Sequence, residues 1–292
     1  MLEVLRGARP LPLAGAFLLY GVVGSVVRGC RWQVLVTSLG YPIRLRRATE
    51  LFLVGTFFNQ LLPTGIGGDV VRSLVLAREG LGRARAASTV MVDRAIGILM
   101  QLAAGILALG VARGHASGAT TAVLLGAVGL GLAGSALFLR ADLWRARAAE
   151  LPVVGSFFAR GAVARFVDSF AEYGARTLAV SAAWSFGFTA ALIGTNALLG
   201  RAVGITQAGL ADWFLIVPVV ALTTLVPSMA GWGVREVTYV SLLGALRPPV
   251  PADTATAMGL VFGGMNLALA AAGGLLAARG AMGPPESPES PA

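Results

Sequence analysis

The sequence predicts an all-α polytopic membrane protein, with about five spanning helices and two re-entrant helical hairpins arranged as an inverted repeat. Three observations carry that expectation. Of 292 residues, 56% are hydrophobic and only 13% charged, where soluble chains carry about 25% charged residues. Six stretches of eighteen or more residues hold no charged side chain, at 10–27, 95–112, 119–139, 177–200, 213–234 and 254–278. About 20 apolar residues cross a hydrocarbon core ~30 Å thick, and helices satisfy their own backbone there. The third observation is a pair of matching segments broken by Gly and Pro, taken up below in chain order.

The first apolar run follows Arg6 and Arg9 and precedes Cys30. Arg28, directly before Gly29-Cys30, does not suit a lipoprotein-type cleavage site, and Arg31-Trp32 continue a helical pattern toward Leu39. The run is therefore expected to stay as a spanning helix.

Leu51 to Gly68, LFLVGTFFNQLLPTGIGG, is punctuated differently. A helix from Ala48 to Leu62 would extend only about 22 Å, short of the core thickness. Pro63 and the glycines at 65, 67 and 68 break it, and a second short helix, Asp69 to Arg78, can return. Arginines 44, 46 and 47 precede this pair and 78, 83 and 85 follow it, so both ends prefer one aqueous face. A re-entrant hairpin is predicted.

Residues 225–234, LVPSMAGWGV, align without a gap on residues 61–70, LLPTGIGGDV, sharing Leu, Pro, Gly and Val. Each copy follows a short apolar helix and precedes a charged one, with Arg72 in the first and Arg235-Glu236 in the second. Three crossings are expected between them, at 88–112, 119–139 and 177–200. An odd number inverts the second copy, a common plan of secondary transporters.

Residues 140–176 form the longest polar connection, and within it Phe166, Phe170 and Tyr173 fall at helical spacing opposite Asp168 and Glu172. An interfacial amphipathic helix is expected there. Residues 1–282 read as one transmembrane domain, and 283–292, rich in Pro, Ser and Glu, as a disordered tail.

The net charge of +9 comes from 23 Arg and no Lys. Placing 40–47, 78–87, 140–176 and the tail inside puts thirteen arginines on that side against five outside. The positive-inside rule then gives a multi-pass protein of the cytoplasmic (inner) membrane, N-terminus outside and C-terminus inside. Topology accounts for the basic balance, so no nucleic-acid partner is inferred. One Cys and one His, Cys30 and His115, provide neither a disulfide nor a Cys or His metal cluster. No metal or cofactor is expected.

Charged groups at membrane depth are candidate functional residues because burying them is expensive. They are Asp69, Arg72, Asp93, Arg94, Arg235 and Glu236. Gly67 and Gly68 open a helix whose free N–H groups, with Arg72 one turn on, suit an anion such as a lipid phosphate. The competing expectation is that Asp69 caps that helix and pairs with Arg72 or Arg94 to neutralise charge. Gly231 and Gly233 repeat the glycine-then-charge plan ahead of Arg235. Asn59, before Pro63, either bonds headgroup oxygens or satisfies backbone groups freed by the proline. Trp184, Trp213, Trp232 and the phenylalanines are read as packing or interface residues. Without lysine or an intramembrane histidine, no catalytic constellation is expected.

The run NQLLPTGIGGDVVRSLVLAREG, then TVMVDRAIG, then VPSMAGWGVREVTYVSLLG, resembles the flippase-like family typified by the transmembrane region of lysylphosphatidylglycerol synthases. The resemblance covers roughly Arg31 to Ala278. It implies a membrane protein that moves lipids between leaflets, with Asn59, Pro63, Gly68, Asp69, Arg72, Arg94, Gly231, Gly233, Arg235 and Glu236 at the matching positions. Family members often begin with a further spanning helix, and the soluble aminoacyl-transferring domain of the synthases has no counterpart here. The expected partners are lipids with an anionic or phosphate-bearing headgroup, with an oligomer or a synthase partner also possible. The alternatives are a membrane-embedded transferase or accessory subunit acting on lipid-linked sugars or aminoacylated lipids, and a scaffold without a substrate.

Overall fold

A computed structural model gives the fold, describing residues 1–62, 66–111, 122, 125–126, 129, 165, 168–170, 172–222, 228 and 231–283. Among these, all regular structure is helical. Most of the expected crossing at 119–139, residues 63–65, 223–227 and 229–230 in the matching segments, most of the 140–176 connection and the tail beyond Gly283 lie outside the described residues.

Helix α1 (Leu2–Arg6) leads into α2 (Pro10–Phe17), which begins with proline in the first turn, where the missing N–H costs nothing. A wide π-helical turn, Leu18–Val23, carries α2 on into α3 (Gly24–Ser38), so the helical run covers Pro10 to Ser38. Such π-bulges occur often at functional sites, and this one holds Tyr20. Helix α4 (Leu45–Leu61) is followed by the short α5 (Gly67–Leu76), then α6 (Arg83–Val111). The second half comprises α7 (Ala175–Ala202), α8 (Leu210–Leu222), α9 (Val234–Gly244) and α10 (Ala252–Leu276).

Four helices are long and apolar enough to cross a membrane: Pro10–Ser38, Arg83–Leu109, Ala175–Ala202 and Ala252–Ala281. They coincide with four of the five crossings expected from the apolar runs. The helices around the matching segments are short, with 17 residues in α4, 10 in α5, 13 in α8 and 11 in α9. At 1.5 Å per residue α4 reaches only about 25 Å and α5 about 15 Å.

Helix α4 occupies the centre, packing on α3, α5 and α10, while α6 and α7 bridge to α8 and α3. Close approach between helices rests on glycine. A methyl at Gly273 on α10 would overlap the Leu53 carbonyl of α4, and one at Gly29 on α3 would overlap Thr49. Small residues that let backbones touch are the usual way to pack helices where lipid offers no hydrophobic contrast. Leu2, Leu11, Leu107, Leu210, Val237 and Leu275 are all more than half exposed, the surface that a hydrocarbon solvent favours. Tyr173 and Phe170, expected on the apolar face of an interfacial helix, pack against the cluster around Trp32, Leu51 and Leu76.

Candidate functional site

Both matching segments border a single cavity of about 320 Å³, near the lower end of the ~300–1,000 Å³ typical of ligand pockets. From the first half come Asn59 and Gln60 at the end of α4, Asp69 and Arg72 on α5, and Asp93 and Arg94 on α6. From the second come Gly231, Arg235 and Tyr239. Five arginines line it, Arg28, Arg31, Arg72, Arg94 and Arg235, against the carboxylates Asp69 and Asp93 among the described residues.

Three of those arginines share the two carboxylates. Arg31 Nε donates to Asp93 Oδ1 at 2.6 Å, and both side chains are almost fully buried. Asp93 Oδ2 also lies 3.6 Å from Arg72 Nη2, which donates to Asp69 Oδ1 at 2.7 Å. Asp69 Oδ2 in turn accepts from Arg94 Nη1 at 2.5 Å. The order Arg31, Asp93, Arg72, Asp69, Arg94 thus joins α3, α5 and α6 by alternating charge. Arg72 is 4% exposed, and its Nη1 is buried without a hydrogen-bond partner among the described residues. A buried donor left unmade costs free energy that a ligand oxygen would recover.

The helix opening at Gly67-Gly68 differs from its expected use. Asp69 makes no cap; Asn59 Oδ1 on α4 accepts the Gly68 N–H at 2.8 Å. One donor expected to be free for an anion is therefore taken, by the Asn59 side chain. Gly68 is needed for space, since a methyl there would overlap the Gly55 carbonyl, and one at Gly67 would overlap Leu62.

In the second half Glu236 serves two neighbours. Its Oε2 accepts the Gly233 N–H at 2.6 Å, the backward half of a capping box. Its Oε1 accepts from Arg235 Nε and Nη2 at 3.0 and 2.7 Å. Gly231 and Gly233 adopt φ of +81° and +82°, conformations that favour glycine. Gly259 and Gly263, one turn apart on α10, make room for this pair: a Cβ at Gly263 would crowd Arg235 Nη2 and Trp232.

The sequence-derived site residues Asn59, Asp69, Arg72, Asp93, Arg94, Gly231 and Arg235 all line the cavity. Gly67, Gly68, Gly233 and Glu236 shape its elements from behind. Arg28, Arg31, Tyr20, Asn196, Tyr239 and Asn266 also line it and were not singled out. The signal for Arg28 and Arg31 was their i, i+3 spacing inside one long helix, which puts both on one face. Tyr20 donates to Asn266 Oδ1 at 2.8 Å and Tyr239 donates to Asn196 Oδ1, so two polar pairs cross between helices. Several aromatics do more than pack. Arg72 lies over Trp32 and Phe52, and Arg235 over Trp232 and Phe262.

Comparison with known proteins gives a consistent grouping. The protein-family model described as the lysylphosphatidylglycerol synthase TM region matches residues 1–274. A UPF0104 membrane protein of Methanocaldococcus jannaschii is 32% identical over 98 residues, which is 33% of this chain and 29% of that protein's length. No solved structure matches the chain.

Proposed function

The chain belongs to the lysylphosphatidylglycerol synthase transmembrane-region family, and from that premise we propose that it is a flippase-like translocator moving a phosphate-bearing lipid between leaflets. The observation that carries the reading is the excess positive charge on the cavity wall. Five arginines line the cavity against Asp69 and Asp93 among the described residues, and Glu236, off the wall, pairs with Arg235, so the arginines still outnumber the carboxylates that hold them. Burying unbalanced charge is costly, and an anionic headgroup entering the cavity would offset it. Arg72, Arg94 and Arg235 serve as phosphate partners, while Asp69 and Glu236 hold them in place or meet a cationic part of the headgroup. A cavity of this size takes a headgroup and leaves the acyl chains in lipid.

The proposed topology has five crossings, the four long helices and 119–139. The short pairs α4/α5 and α8/α9 are re-entrant hairpins related by inversion, with the N-terminus outside and the C-terminus inside the cytoplasmic membrane. Support comes from their shortness, the matching L-x-P-x-x-x-G spacing and the presence of both segments at one cavity. Cysteine labelling in a Cys30-free background tests this part. Positions 46 and 83 are expected to react from the same side, and reaction from opposite sides excludes the first hairpin.

Translocation itself is tested by reconstitution into vesicles carrying a fluorescent phospholipid. Dithionite reaches only the outer-leaflet probe of protein-free vesicles, and it bleaches the inner pool as well when the protein moves lipid. Bleaching that stays at the protein-free level for phosphate-bearing lipids would refute the reading.

A further inference from the structure

Arg28 meets the cavity in a way unlike the other four arginines. Arg31, Arg72, Arg94 and Arg235 each touch a carboxylate, whereas no ion pair to Arg28 is formed among the described residues. Its Nε donates to the Gly24 carbonyl one turn back at 3.0 Å. Asp93, whose field reaches Arg28, is bonded by Arg31, which repels Arg28. What surrounds the guanidinium instead is aromatic, with the Tyr20 hydroxyl as a neutral hydrogen-bonding neighbour: its carbon lies 4.5 Å from the Phe52 ring centre, 4.8 Å from Phe188 and 5.1 Å from Tyr20.

That arrangement has a chemical consequence. A ring attracts the cation through its face, while the N–H donors of guanidinium radiate in its plane. Aromatic contact therefore holds a cation in an apolar bundle without consuming the donors that a carboxylate would take. An arginine already gripped by Asp or Glu must share or exchange that partner to bind an incoming anion; Arg28 has none to give up. Phe52 is also the ring beneath Arg72, at 4.8 Å, so the carboxylate-free guanidinium and the one with a bare Nη1 share a single aromatic residue. Toward the second half, Tyr20 stacks 5.2 Å from Phe262, the ring that lies 5.7 Å from Arg235. Ring contacts thus link Arg28 to Arg72 through Phe52 and to Arg235 through Tyr20 and Phe262.

We propose that Arg28 is an anion-binding residue that, with Arg72 on the shared Phe52 ring, grips the phosphate oxygens of the ligand in the cavity. The assignment rests on the reading that the cavity admits a phosphate-bearing group, and it names where that group sits. Phosphate oxygens suit two guanidinium forks better than one, because each fork supplies paired N–H donors in fixed geometry.

Titration calorimetry on the full chain in detergent tests it, with dihexanoylphosphatidylglycerol and inorganic phosphate as separate probes. Arg28→Gln is expected to weaken binding about tenfold or more, the loss of a charge-assisted bidentate contact, with an unchanged melting temperature. If the lipid binds wild type and Arg28→Gln equally while Arg72→Gln binds poorly, Arg28 is no part of the site and the lipid reading stands. If inorganic phosphate binds with the Arg28 dependence and the lipid does not, the anion site stands and the lipid reading falls. Binding of neither probe by wild type overturns both. Should Arg28→Gln not fold, Arg28→Lys keeps the charge without the planar fork. It is expected to bind several-fold more weakly, and wild-type affinity in it overturns the proposal.

Discussion

Gly55 and Gly68 bring α4 and α5 into backbone contact. A Cβ built on Gly68 would overlap the Gly55 carbonyl, and one built on Gly55 would lie 3.1 Å from the Gly68 carbonyl and 3.2 Å from the Arg72 side chain. That close crossing lets Asn59 reach the Gly68 N–H and sets Arg72 against the cavity wall. Gly68→Ala cannot be absorbed by a flexible side chain, because the obstacle is backbone. It is expected to cost about 3 kcal/mol or more, the upper range for overpacking. Gly264→Ala is the control: nothing lies within 4 Å of a Cβ there, and the helix gains propensity. Melting temperatures in detergent should fall sharply for the first and stay level for the second. Equal values would mean α4 and α5 are held apart.

The buried Arg31–Asp93 pair predicts strong asymmetry between single and double changes. Asp93→Asn leaves the buried Arg31 cation facing a neutral amide and the Ser185 hydroxyl, to which it donates at 3.2 Å. Removing one member of such a pair typically costs about 3–5 kcal/mol. Arg31→Gln with Asp93→Asn removes both charges and is expected to recover a good part of that loss. A double variant as unstable as the sum of the singles would show that the two residues act independently.

How far this site could be read from sequence depended on which physical signal each residue left. Asp69, Arg72, Arg94 and Arg235 stood out because each is a charge beside a glycine-broken apolar run, and the cavity collects all four. Arg28 escaped although the helical pattern carries past it toward Leu39, because no glycine-broken segment lies beside it to mark it as more than a charge in a helix. The helix runs on to Ser38 with Arg28 covered by rings and Arg31 bonded to Asp93. Phe52 and Asp93 lie on other helices, 24 and 62 residues away, and no window along the chain contains both. Four of the expected crossings were legible because long apolar helices depend on composition alone. Asn59 was noticed for its polarity, but its use as the cap of a different helix needed the Gly55–Gly68 crossing, which is a tertiary fact. Phe52 and Trp232 look like ordinary packing residues until the arginines above them are placed.

Outside the spans, Tyr41 offers a pH test. Its hydroxyl donates to Glu79 Oε2 at 2.9 Å, and Glu79 also accepts from Arg47. Burial first, then the bond and charge of Glu79, push the phenol up to about 12 from its ordinary value of 10.0. The folded state keeps its proton where the unfolded chain releases it, so stability contributed by neutral Tyr41 is full below pH about 10 and is lost as pH rises toward 12. Tyr41→Phe removes the bond at about 1 kcal/mol near neutrality. The melting-temperature gap between wild type and Tyr41→Phe should therefore narrow steadily from pH 10 to 12. A gap independent of pH in that window would place the titration elsewhere.

Arg72 offers the sharpest separation of substrate contact from charge balance. Its Nη2 is committed to Asp69 at 2.7 Å, its stem passes Gly55, and its Nη1 is buried without a hydrogen-bond partner among the described residues. Lysine at this position can keep the Asp69 contact as a point charge, but it cannot present a second donor in the same plane. If charge balance is its whole role, Arg72→Lys should translocate lipid at the wild-type rate, and Asp69→Asn with Arg72→Gln should together recover what either change alone loses. If Arg72 grips phosphate, Arg72→Lys should translocate at least about tenfold more slowly while melting near the wild-type temperature. The neutral double variant should then stay inactive, because restoring balance does not restore the donors. The bare Nη1 favours the second outcome. A fully active Arg72→Lys in the vesicle assay, with dithionite reaching the inner-leaflet probe as fast as for wild type, would reduce Arg72 to the partner of Asp69.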